Sequence, residues 1–169
     1  MIIRLAFPNE IKDIMAIMAE AKTFLAKSGS NQWQNGYPDE ETIIEDILKG
    51  QGYVILVDDL IAGYAAVIEG KEPAYEAIYD GKWLNQNQDY ITFHRVAVAQ
   101  SYRGQQIAQT LLEGLVEGFE ASDFRCDTHE KNKIMQHILD KLGFSYQGKV
   151  PIDGERLAYQ KIKTNNRLK

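Results

Sequence analysis

The feature that most restricts how this chain can fold lies between Tyr90 and Gly118, where strand, turn and helix follow without a break. Tyr90 to Val98 reads as a β-strand and Ala99 to Arg103 as a loop. Beyond it Ile107, Leu111, Leu112, Leu115 and Phe119 recur on one face of a helix. Such a turn leaves backbone N–H groups unpaired and pointing one way, with the positive end of the helix dipole behind them. That is a ready site for a diphosphate. Arg103 adds a full charge there, and Gly104 lets a ligand approach the backbone without a Cβ in the way. Taken alone, the pattern describes a basic loop capping a helix equally well.

The remaining segments place this unit in a larger sheet. Ile2 to Ala6 is a short strand candidate. A helix with Ile11, Ile14, Met15, Met18, Ala21 and Leu25 inward follows Pro8-Asn9 and ends near Gly29. Ser28 to Tyr37 is loop-like. Asp39 is the expected N-cap of a second helix that buries Ile43, Ile44, Ile47 and Leu48 and stops at Gly50. Tyr53 to Val57 and Leu60 to Ile68 form a hairpin about Asp58-Asp59. The segment from Glu69 to Asp89 has no period. A connection that long inside a compact domain is usually functional or mobile, and Tyr75, Tyr79 and Trp83 suggest that it docks. Phe124 to Thr128 is a strand and Asn132 to Leu142 a helix stopped by Gly143. Phe144 to Lys149 and Glu155 to Ile162 form a closing hairpin, and Lys163 to Lys169 reads as a frayed tail. The order β-α-α-β-β-β-α-β-α-β-β implies an α/β (α+β) domain with a mixed sheet and helices on both faces. Neither a repeat nor a dividing linker appears, so residues 1–169 are expected to form one domain.

A net charge of −5 gives no electrostatic basis for general nucleic-acid binding. No apolar run is long enough for a membrane span, and the first residues lack the order of a signal peptide, which together suggest a cytoplasmic start. Cys126 is the only cysteine, so no intramolecular disulfide can form. In the run Phe124-Arg125-Cys126-Asp127 it reads as a packed strand residue more readily than as a nucleophile. Three well-separated histidines give no metal-site spacing, and no metal is expected.

The stretch Val96-Ala97-Val98 followed by Arg103-Gly104-Gln105-Gln106-Ile107-Ala108 resembles the acetyl-CoA-binding motif of the GCN5-related N-acetyltransferases, Arg/Gln-x-x-Gly-x-Gly/Ala. Asn132 with Leu142-Gly143-Phe144 is similar to the family's second motif. Asp127-Thr128-His129, Met135-Gln136, Gln32-Trp33, Tyr37-Pro38 and Arg156-Leu157-Ala158-Tyr159 resemble a bacterial subgroup. The resemblance spans nearly the whole chain. It implies a mostly antiparallel sheet and acetyl-CoA as cosubstrate. It also implies direct acetyl transfer to a primary amine of a small molecule, amino acid or peptide. Residues 96–98 and 103–108 would then hold the cofactor, with Asn132 bonding its pantetheine arm. Two departures stand out. Gln106 replaces the central glycine of the motif; in the first helical turn its side chain would point back and leave the N–H available. Leu139 stands where many members carry a tyrosine that protonates the departing thiolate, and leucine donates nothing. These departures keep a second reading open, a CoA-binding module that is weakly active or inactive. The absence of a Gly-Lys-Ser/Thr sequence argues against a P-loop protein.

For the proton taken from the amine, His94 is the leading base, because imidazole titrates near neutral pH. Strand alternation puts it on the opposite face to Phe93 and Arg95; the alternative is a structural strand histidine. Tyr146 is the nearest hydroxyl that can replace the missing acid, unless it is a packed strand tyrosine. His129 follows a strand end, where ligands often bind, or else caps the next helix. Asn132 can equally be an N-cap. Trp33, Tyr37 and Trp83 lie in loops, where aromatic residues line substrate pockets or subunit contacts, and a homodimer is compatible with them.

Overall fold

The described residues, 1–164 of a computed structural model, form one seven-stranded sheet. In chain order the elements are β1 (Ile2–Leu5), α1 (Ile11–Lys27), α2 (Glu40–Leu48), β2 (Gly52–Val57), β3 (Leu60–Glu69), β4 (Ile91–Val98), α3 (Ile107–Gly118), β5 (Asp123–Thr128), α4 (Lys133–Lys141), β6 (Ser145–Val150) and β7 (Arg156–Ile162). This is the order expected from the sequence. The strands lie side by side as β1-β2-β3-β4-β5-β7-β6, antiparallel throughout except for the β4–β5 pair. Asp58 and Asp59 both adopt left-handed backbone, at φ 51° and 66°. That is the two-residue turn whose twist suits a hairpin.

Each sheet face has its own apolar layer. Ile14, Ile17 and Met18 of α1 and Ile43 of α2 pack on Val54, Tyr64 and Ala66. On the other face, Leu111, Leu112 and Leu115 of α3 and Leu139 of α4 pack on Ala65, Val67, Phe93 and Phe124. No helix among the described residues is long and apolar enough to cross a membrane.

Two departures from regular pairing position the site. First, β4 and β5 pair only through Ile91–Phe124, Thr92–Arg125 and Phe93–Cys126, and then separate. The cause is a bulge at Arg95, whose φ is +55°, opposite a register shift between Tyr64 and Ala66. An extra residue bends its strand and sharpens the local twist. Arg95 is held in this unfavourable backbone by Asp46 of α2, to which its Nε and Nη2 donate at 2.8 and 2.6 Å. Tyr64 donates to the same carboxylate at 2.6 Å.

Second, residues 70–90 form a strap across the end of the sheet. A 3₁₀ turn, Pro73–Ala77, leads into a stretch in which Tyr79 and Lys149 of β6 exchange two backbone hydrogen bonds of 2.9 Å. At Gly81 the strap lies against the backbone of β6: a Cβ there would meet the Gln147 carbonyl oxygen at 1.9 Å. The strap is anchored by Arg125, whose guanidinium sits between the rings of Tyr90 (3.9 Å) and Trp83 (4.6 Å) and pairs with Asp123 at 3.2 Å. Trp83, expected to line a pocket or a contact, is thus part of this anchor.

The expected frayed tail requires one correction. Lys163 donates its backbone N–H to Ser122 and its ammonium to the Val116 and Phe119 carbonyls at the end of α3. A cation there satisfies carbonyls that have no partner within the helix. The rest of that expectation, from residue 165 on, lies outside the described residues.

Candidate active site

Where β4 and β5 part, the sheet opens into a cleft of about 1100 Å³ that reaches both faces. One wall is Val96, Ala97 and Val98 of β4, and the other is Cys126, Asp127 and Thr128 of β5. Past Phe93 the β4 edge facing β5 has no strand partner. An extended ligand can therefore pair with that edge as an added strand would.

At one end the cleft meets the start of α3. Gly104, Gln106, Ile107 and Ala108 line it, and no side chain caps the helix. The first-turn N–H groups of an uncapped helix are open to an anion. Gln106 itself departs from expectation. It is not in the first helical turn but at the N-cap, in left-handed backbone with φ +60°. The chain leaves the 3₁₀ turn Gln100–Tyr102 and reverses direction through two left-handed residues, Gly104 (φ +81°) and Gln106. Glycine tolerates that conformation and glutamine is strained by it. Gln106→Gly should therefore stabilise the fold by about 1 kcal/mol. Thermal unfolding would show this as a rise of roughly 2–4 °C.

The other motif residues divide. Arg103 lines the cleft, but its guanidinium lies 4.2 Å over the Phe24 ring and donates to the Glu20 carbonyl at 3.1 Å. Its charge is thus tied to α1 and does not lie free over the turn. Gln105 is exposed and does not line the cleft. Asn132 lines it and also caps α4, its Oδ1 accepting from Met135 N at 3.2 Å. Both readings of that residue are therefore compatible with one position.

On the α1–α2 face the cleft is bounded by Trp33, Tyr37, Glu72 and His94. His94 pairs with Ala66, which packs on that face, and Phe93 packs on the other, as alternation requires. Arg95 breaks the expected alternation. The bulge carries it to the side of His94, where its Nη1 donates to Tyr37 Oη at 2.6 Å. His94 Nε2 is buried without a hydrogen-bond partner, 3.6 Å from Glu72 Oε2. Glu72 had no place among the residues read from sequence. It arrives on the strap, whose length alone signalled function. Its carboxyl is held below the usual range, chiefly by its interaction with His94, against an opposing effect of burial. A folded value below the unfolded one means that this contact stabilises the fold above the unfolded carboxylate pKa. The contribution is lost as pH falls through the lower folded value.

Two sequence candidates, Tyr146 and His129, lie elsewhere, and a third, Cys126, lines the cleft as a packed residue. Tyr146 is half exposed on β6, edge-on to Tyr159, and does not reach the cleft. His129 does not line the cleft either. Its Nδ1 accepts from Lys131 N at 3.1 Å within the β5–α4 turn, and burial followed by Arg156 keeps it less basic than usual. Cys126 is buried, which pushes its thiol well up, and its Sγ lies 3.6 Å from the Phe93 carbonyl. That is a packed thiol and not an activated one. Leu139 is fully buried in the α3–α4 layer.

The model of the acetyltransferase (GNAT) family matches residues 13–144. The chain belongs to that family. Its fold is shared with a GNAT acetyltransferase from Streptococcus agalactiae, 58% identical, with a TM-score of 0.95 over 97% of this chain and 96% of that one. A putative acetyltransferase from Staphylococcus aureus is 27% identical, with a TM-score of 0.71 over 96% of this chain and 99% of that one. A PaiA N-acetyltransferase from Thermoplasma acidophilum, in complex with coenzyme A, shares the fold at 15% identity and a TM-score of 0.68, over 96% and 98% of the two chains. No curated protein matches the chain. As a GNAT enzyme the protein is an acyltransferase that uses acetyl-CoA. The unpaired β4 edge and the uncapped start of α3 fit the two parts of that cosubstrate, an amide-bearing arm and a diphosphate.

Proposed function

We propose that the protein transfers the acetyl group of acetyl-CoA directly to a primary amine of a small molecule, amino acid or peptide. The observation that carries this reading is His94 Nε2, buried, unpartnered and placed in the cleft beside Glu72. Acetyl-CoA supplies an activated acyl thioester. Residues 96–98, Gly104, Gln106, Ile107, Ala108 and Asn132 hold it, with Arg103 at the rim. Trp33 and Tyr37 close the opposite side, where an acceptor would enter. His94 takes one proton from the acceptor's ammonium, so that a neutral nitrogen faces the carbonyl carbon. Glu72, 3.6 Å from Nε2, offsets the charge that the imidazole gains. The same reading takes residues 1–169 as one domain acting in the cytoplasm without a nucleic-acid partner.

The buried Leu139 favours a second reading, a domain that holds CoA without turnover. Release of free CoA, followed by thiol titration across a broad panel of amines, separates the two. The expected result is turnover with at least one class of primary amine. Silence across the panel, with acetyl-CoA still bound, would leave the module.

A further inference from the structure

Thr128 ends β5 and, by strand alternation, shares the sheet face of Phe124 and Cys126, the face covered by α3 and α4. It is fully buried, its Oγ1 has no hydrogen-bond partner, and it lines the cleft. A buried hydroxyl left unpaired is destabilising, and such groups call for an explanation. Its position supplies one. Thr128 lies two residues beyond Cys126, the last β5 residue paired to β4, so it stands on the β5 wall just where the strands part. Val96, which packs on the same sheet face, stands on the β4 wall.

Three hydroxyl side chains line the cleft: Tyr37, Tyr102 and Thr128. Tyr37 is engaged by Arg95 on the other face, and Tyr102 sits in the 3₁₀ turn before α3. From α4 the cleft receives Ile134, Met135, His137, Ile138 and Lys141; the two of these that can donate a proton, His137 and Lys141, are exposed, and Leu139 is in the core.

We propose that Thr128 donates a hydrogen bond to the sulfur of coenzyme A as the acetyl group leaves it, filling the place of the acid that Leu139 cannot be. The amine nitrogen bonds to the carbonyl carbon, the C–S bond breaks, and its electron pair stays on sulfur. Thr128 keeps its proton throughout and stabilises the thiolate, which then takes a proton from water. The ammonium loses two protons in all, one to His94 and one to water, so one proton is released per turnover. This inference rests on acetyl-CoA being the donor; it does not depend on which amine accepts or on His94 being the base.

The test compares the binding of CoA and desulfo-CoA by calorimetry, over a pH range that spans the titration of the thiol. A donor aimed at sulfur favours the thiolate, so wild type should prefer CoA increasingly as pH rises. Thr128→Val should lose about tenfold of that preference, the scale of a hydrogen bond to a charged partner. Its affinity for desulfo-CoA should be unchanged, and Thr128→Ser should keep the preference. Valine matches the shape and removes an unpaired donor, so the melting point of Thr128→Val should be equal or higher. An undiminished preference in Thr128→Val overturns the proposal. So does an equal loss for both ligands, which would put the bond on the pantetheine arm. A wild type that binds neither ligand overturns it together with the acetyl-CoA reading, and only that result touches both.

Discussion

His94→Gln should lower turnover by roughly 10²–10⁴-fold, the range for removing a positioned general base, while leaving the affinity for acetyl-CoA unchanged. The separation follows from where the side chain points. His94 belongs to the α1–α2 face of β4, across the sheet from α3 and α4. The cradle of Gly104 and the α3 N-terminus is assembled from other residues. Glutamine keeps a polar group beside Glu72 but cannot take a proton at neutral pH. The measurement is a steady-state rate with the amine found by CoA release, together with a calorimetric Kd for acetyl-CoA. A variant with the wild-type rate and wild-type pH–rate profile would take the base role away from His94. A weakened Kd with an unchanged rate would make it a binding residue instead.

Arg125→Met should destabilise the fold by about 3–5 kcal/mol, as expected when one partner of a buried ion pair is removed. The side chains of Arg125 and Asp123 are only 3% and 1% exposed. Without the guanidinium, the Asp123 carboxylate keeps Gln160 at 3.0 Å and Asn87 at 3.2 Å but loses its counter-charge. Burial pushes that carboxyl up, yet the bonds from Arg125 and Gln160 win and hold it below the usual range. Its pairing therefore stabilises the fold above the unfolded carboxylate pKa, and the effect is lost as pH falls through the lower folded value. The variant also loses two ring contacts, to Tyr90 and Trp83. Urea unfolding at neutral pH measures the loss. A change under 1 kcal/mol would mean that the strap is held mainly by its apolar residues.

The difference between what the sequence disclosed and what it concealed has a physical basis. The helix faces of Ile14 to Leu25 and Ile107 to Leu115, and the Asp58-Asp59 hairpin, follow from local period and turn chemistry, and the order of elements along the chain follows from their succession. The cleft's first wall was legible for the same reason, since residues 96–108 are contiguous. What stayed hidden depends on distant partners or on one residue out of step. The bulge at Arg95 exists because Asp46, forty-nine residues earlier, binds its guanidinium. Glu72 reaches His94 on a strap pinned by Arg125 and by the backbone bonds between Tyr79 and Lys149. The left-handed Gln106 could not be told from a first-turn residue by its neighbours, because it is the non-glycine member of a two-residue reversal. Tyr146 is the nearest hydroxyl along the sequence, but the order β5-β7-β6 puts a whole strand between it and the cleft.

The crossing of β6 by the strap has a consequence for how this protein meets its neighbours. An open sheet ends in two rows of unpaired backbone groups, each a template for another extended chain. At the β6 end, Tyr79 takes both hydrogen bonds of Lys149, Lys82 N–H donates to the Gln147 carbonyl at 3.0 Å, and Gly81 lies flush against the same stretch. The molecule thus plugs its own margin with a piece of irregular backbone too short to nucleate further pairing. Among the described residues only β1, four residues long, presents a bare margin to the outside. Growth of the sheet from molecule to molecule, as in fibrous aggregation, would first have to peel the strap away and pull Arg125 out from between its two rings.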